Sequence, residues 1–122
     1  MDRTDFEELV QEALLNLPPQ FARKLENVEI VIEDVPDEIQ LQKLRLSPHV
    51  SLFGLYEGVP HTKRGSGYTF VLPDKITIFQ KVIEFYLRNP EAIKNQVRKT
   101  ILHEIGHHFG LSEEDLGKTK VG

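Results

Sequence analysis

The chain contains no cysteine. A disulfide framework, a thiolate metal site and a cysteine nucleophile are therefore excluded, and any metal it holds must be bound through nitrogen and oxygen. No apolar run approaches the roughly 20 residues needed to cross a bilayer, so no membrane association is expected. The first residues, Met1-Asp2-Arg3-Thr4-Asp5-Phe6-Glu7-Glu8, are too charged for a secretory signal. A cytoplasmic location is the expectation. Cationic excess is also missing: 15 Lys and Arg stand against 19 Asp and Glu, a net charge of -4. Phosphate backbones are bound by concentrated Lys and Arg, so no nucleic acid is expected as the main partner. Internal repeats, linkers and low-complexity stretches are lacking too.

What remains is ordinary for a globular protein: 122 residues, 39% apolar and 28% charged. That length supports one core, and residues 1–122 read as a single domain. Thr4 and Glu7 form a capping-box pattern, and Phe6, Leu9, Val10, Ala13, Leu14 and Leu17 follow at helical spacing until Pro18-Pro19. A short helical turn is expected around Phe21 to Leu25. Val28 to Glu33 reads as a strand with Val28, Ile30 and Ile32 on one face. Glu38 to Leu46 is compatible with a short helix or with irregular packing.

Val50 to Tyr56 reads as a strand in which Gly54 marks an edge or bulged position. His61 to Gly67 is a basic loop, Tyr68 to Leu72 a further strand, and Lys75 to Phe79 alternates again. Val82 to Leu87 reads as helix. Asn89-Pro90-Glu91 then supplies a capping residue, a first-turn proline and an acid at the positive end of a helix dipole. That helix should reach about Phe109, with Ile93, Val97, Ile101 and Ile105 on an apolar stripe and Gln96, Thr100, His103 and His107 on a polar one.

The last turns of this helix contain His103-Glu104-Ile105-Gly106-His107, the H-E-x-x-H pattern. Residues four apart on a helix lie one turn apart on nearly the same face, so His103 and His107 can aim both imidazoles at one metal ion. Glu104 lies beside them, placed to take a proton from water activated by the metal. Two histidines one turn apart need not bind anything by themselves. Here Gly110 sits where a left-handed helix terminator belongs, so the chain can reverse and bring an acid back to the histidines. Glu113 stands six residues after His107, where the H-E-x-x-H-x-x-G-x-x-H pattern has its third histidine. Glu114 and Asp115 compete with it, since a one-residue change in the turn would present either. His108 points away from the pair.

Two larger zinc-hydrolase groups do not fit. The only methionine is Met1, which leaves none for the Met-containing turn of metzincins. Fifteen residues follow His107, too few for the distant helix glutamate of thermolysin-like enzymes. The chain instead resembles the small bacterial zincin-like metallopeptidases, proteins that are little more than a minimal catalytic core. The resemblance is carried by Leu55-Tyr56-Glu57-Gly58-Val59-Pro60, by Leu72-Pro73-Asp74-Lys75-Ile76-Thr77-Ile78-Phe79 and by His103 to Leu116. It implies an α+β domain: a small mixed sheet with an antiparallel edge strand, flanking helices and a long C-terminal active-site helix. It also implies zinc held by His103, His107 and an acid six residues on. Familiar members have aspartate at that place, and Glu113 is a conservative departure.

The expected function is zinc-dependent hydrolysis of a peptide bond with Glu104 as general base and later proton donor to the leaving amine. A peptide or protein substrate can pair with the Val50–Tyr56 edge strand. Tyr56, Tyr68 and Tyr86 have the chemistry of a second oxyanion donor, and the Lys63-Arg64-Gly65 loop that of an anion contact. The alternatives are a zinc-containing binding or regulatory module without turnover and, further off, a metal-dependent nuclease.

Overall fold

The computed structural model describes residues 1–46, 52–58 and 74–108, with His107 and His108 as backbone alone. The order is α1 (Arg3–Leu15), α2 (Pro19–Lys24), β1 (Val28–Glu33), α3 (Glu38–Leu46), β2 (Gly54–Glu57), β3 (Asp74–Phe79), α4 (Gln80–Tyr86) and α5 (Pro90–His108). Among the described residues the strands form one sheet in the order β1-β3-β2, with β1 parallel and β2 antiparallel to β3. This is the α+β arrangement with an antiparallel edge strand that the resemblance implies.

Helices cover both faces of the sheet. On one face Phe6, Val10 and Ala13 of α1 and Ile93, Val97, Ile101 and Ile105 of α5 meet Ile76 and Ile78 of β3, all of them buried. On the other, Leu44 of α3 packs with Leu55 and Phe79. Alternation along the strands causes this division: Ile76 and Ile78 point one way, Thr77 and Phe79 the other. Each buried aliphatic side chain stabilises the fold by roughly 1.5–3 kcal/mol.

Several boundaries depart from the sequence reading. The Thr4/Glu7 capping box does not form: Asp2 is the N-cap of α1, without a side-chain cap bond. Arg3 accounts for the earlier start. It donates to Gln80 Oε1 at 2.7 Å and to the Ile32 carbonyl at 2.8 Å and pairs with Asp34, which ties the first turn to β1 and α4. Glu38 to Leu46 is a regular helix, started by an Asp37/Gln40 capping box. Gln40 N–H donates to Asp37 Oδ1 at 2.7 Å and Asp37 N–H donates to Gln40 Oε1 at 3.0 Å. β2 is shorter than Val50–Tyr56: Leu52 and Phe53 form a turn, and residues 50 and 51 lie outside the described residues. α4 begins two residues before Val82, at Gln80.

α5 begins as the sequence requires. Asn89 Oδ1 accepts the Glu91 N–H at 2.8 Å and the Ala92 N–H at 3.3 Å, with Pro90 in the first turn. The expected strand Tyr68–Leu72 and the loop containing Lys63-Arg64-Gly65 lie outside the described residues, as does Phe109. Among the described residues no helix is long and apolar enough to cross a membrane.

Candidate metal and catalytic site

The site lies where the second half of α5 passes β2. The helix backbone is unbroken from Pro90 to His108, so His103 and His107 stand one turn apart on it. His103 is half-buried on the rim. Glu104 is 7% exposed, placed against β2 on the side next to the apolar stripe of the helix. His107 has its backbone on this helix, while its side chain lies outside the described residues. Glu113, Glu114 and Asp115 also lie outside them, and among the described residues no group of three His, Asp or Glu side chains could hold a metal ion.

The Glu104 carboxylate has a defined protein contact: its Oε1 accepts the Tyr56 backbone N–H at 3.0 Å. In an antiparallel ladder alternate residues turn their backbone groups to the partner strand. The Phe79 N–H donates to the Phe53 carbonyl at 2.9 Å, so Phe53, Leu55 and Glu57 face β3 while Gly54 and Tyr56 face away from it. Glu104 therefore takes up an outward amide of the sheet edge. Its burial disfavours the charged form and pushes its pKa up to about 7, against a smaller opposing pull from the Tyr56 N–H. A carboxyl group near 7 exchanges a proton readily at neutral pH, which is what a general base requires.

Gly54 brings strand and helix together. A Cβ built there would lie 2.6 Å from Thr100 Cγ2 and 3.1 Å from the Thr77 carbonyl oxygen. In the sequence this glycine marks an edge or bulged position. The rule that an isolated strand glycine also signals close backbone approach would have found its role. Thr100, placed by periodicity on the polar stripe, is 1% exposed, and its hydroxyl accepts from Gln96 Nε2 at 3.2 Å.

The tyrosines sort differently. Tyr56 donates its phenol to Asp74 Oδ2 at 2.9 Å, and desolvation, together with that carboxylate, raises its pKa further above the ordinary phenol value. Its hydroxyl is thus already directed at a carboxylate. Tyr86 is exposed and makes edge-to-face contacts with Phe53 and Phe85. Tyr68 lies outside the described residues. At the far end of β2, burial would raise the Glu57 pKa, but bonds from Lys43 and Gln40 and the charges of Lys43 and Lys75 outweigh it and hold Glu57 below the usual range. This cluster fastens α3 to β2 with Gln40 Nε2 donating to Glu57 Oε1 at 3.2 Å.

Compared with known proteins, residues 25–122 match the profile of the zincin-like metallopeptidases. No curated protein matches the chain.

Proposed function

Because the chain belongs to the zincin-like metallopeptidase family, we propose that it is a zinc-dependent peptidase whose general base is Glu104. His103, His107 and Glu113 would hold the metal. The donor set suits it: imidazole nitrogens and a carboxylate without sulfur are a borderline-hard set that Zn²⁺ accepts in hydrolytic sites. His103 on the helix rim is accessible to an ion. When bound, zinc supplies a Lewis acid that acidifies water and polarises a peptide carbonyl.

The chain's own residues supply the proton path. Glu104 Oε1 is held by the Tyr56 N–H, which leaves Oε2 to take a proton from the attacking water and pass it to the leaving amine. The apolar surroundings that raise its pKa to about 7 keep the protonated and ionised forms close in energy. An extended peptide would lie along β2. Since Glu104 already accepts the outward Tyr56 amide, the peptide would have to use the neighbouring carbonyl or displace the carboxylate.

The buried carboxylate carries this reading. A zinc ion of structural role needs no ionisable group beside it at a cost in desolvation, and a binding module without turnover could satisfy the Tyr56 amide with a neutral acceptor. The test is metal analysis with a digest of a proteome-derived peptide library, comparing wild type with Glu104→Gln. Zinc bound by both proteins and cleavage by wild type alone is expected. Equal cleavage by both, or none by the zinc-loaded wild type, would remove the peptidase reading.

A further inference from the structure

We infer that Gly54 is a positioning residue: its missing side chain seats β2 against Thr100 so that the Tyr56 N–H meets the Glu104 carboxylate. The inference rests on the reading of Glu104 as the base only for its consequence in activity, not for the contact itself.

Two contacts between β2 and α5 are in register. Gly54 meets Thr100, and two residues further along the strand Tyr56 meets Glu104, four residues further along the helix. Four helical residues rise about 6 Å and two strand residues about 6.7 Å. The pairs therefore match over one step, and the first sets the separation at which the second operates.

The first contact has little slack. An alanine Cβ at 2.6 Å from Thr100 Cγ2 must retreat by about 0.8 Å to reach an ordinary contact. Thr100 cannot easily give way. It is β-branched within a helix, 1% exposed, and its hydroxyl is bonded to Gln96. The strand has to move instead, and even part of that movement takes the 3.0 Å Tyr56–Glu104 bond beyond the usual N–H···O range, which ends near about 3.2 Å. Glu104 would then lose its protein donor and the fixed direction of its second oxygen. The severe obstacle is one methyl group, so Thr100→Ser, which keeps the hydroxyl, should relieve most of it and leave only the milder 3.1 Å approach to the Thr77 carbonyl oxygen.

The readout is the Tyr56 backbone amide, followed by NMR in metal-free protein. Its chemical shift and its hydrogen exchange are compared in wild type, Gly54→Ala and Gly54→Ala/Thr100→Ser, each with Glu104 and with Glu104→Ala. In wild type, loss of the Glu104 carboxylate should shift the Tyr56 amide and speed its exchange about tenfold, as expected for one lost hydrogen bond. In Gly54→Ala the exchange should already be fast and the response to Glu104→Ala absent. In the double variant the response should return. An unchanged response in Gly54→Ala overturns the inference. So does a response that stays absent in the double variant, which also decides the matter if the single variant does not fold. Peptide cleavage is measured alongside: kcat should fall in Gly54→Ala, with KM nearly unchanged, and recover with Thr100→Ser. If wild type cleaves nothing while the amide pattern holds, the peptidase reading fails and the positioning role stands.

Discussion

Replacing Glu104 by glutamine should stabilise the metal-free protein at pH 8 and leave it unaltered near pH 4. Glutamine keeps the acceptor for the Tyr56 N–H and removes only the ionisation. In the unfolded chain Glu104 titrates near the ordinary glutamate value of 4.5, and in the fold at about 7, chiefly through burial. The folded state thus binds the proton more tightly. The contribution to stability is fully present below 4.5, declines as pH rises, and is lost above 7. At about 1.4 kcal/mol for each pH unit, the interval amounts to about 3 kcal/mol. That is a large part of the 5–15 kcal/mol typical of a domain and corresponds to roughly 10 °C in Tm. Thermal or urea unfolding of both proteins with chelator present, from pH 4 to pH 8, measures it. All other carboxylates are shared, so the difference curve isolates Glu104. Parallel stability profiles would refute the claim that burial holds this carboxyl protonated.

Other perturbations reach other parts of the argument. His103→Ala and His107→Ala should each abolish zinc retention in a chelator competition, and Glu113→Ala should weaken it more than Glu114→Ala or Asp115→Ala; the reverse order would reassign the third ligand. Gln40→Ala removes the Gln40 side-chain half of the α3 capping box and the bond to Glu57, while the backbone N–H of residue 40 still donates to Asp37, and should cost about 1–2 kcal/mol in urea unfolding. Thr77→Val should be neutral or stabilising by about 1 kcal/mol, because the buried Thr77 hydroxyl has no hydrogen-bond partner. A marked loss of stability in that variant would show that the hydroxyl is satisfied in solution.

How much of this was legible in the chain differs by element. Asn89-Pro90-Glu91 states the start of α5 locally, and Ile93, Val97, Ile101 and Ile105 state its buried face, because capping and helical period act within a few residues. α3 was obscure because its apolar residues mislead. Ile39 and Leu46 are 66% and 84% exposed, while the polar Gln40 is buried. Its Asp37/Gln40 box was readable all the same. At the other extreme, the Thr4/Glu7 box was present in sequence and unused, displaced by contacts of Arg3 with residues far along the chain. The histidines and Glu104 were visible as a motif. What the motif could not contain was the Tyr56 amide, 48 residues distant, or the closeness of Gly54 to Thr100, since both depend on which strand lies beside the helix.

The bond between Glu104 and Tyr56 has a meaning for the sheet as well as for the site. An open sheet edge invites pairing with another chain, and proteins blunt such edges with charges. Here the Arg3 guanidinium holds the Ile32 carbonyl on β1, and the Glu104 carboxylate holds the Tyr56 amide on β2. On each edge of the described sheet one backbone group is thus taken up by an ionisable side chain reaching over from a helix. The residue we propose as the base thereby also occupies a strand group that an unwanted neighbour would need. Glu104→Gln leaves that contact in place, whereas Glu104→Ala leaves the amide open and should raise self-association, read by sedimentation velocity.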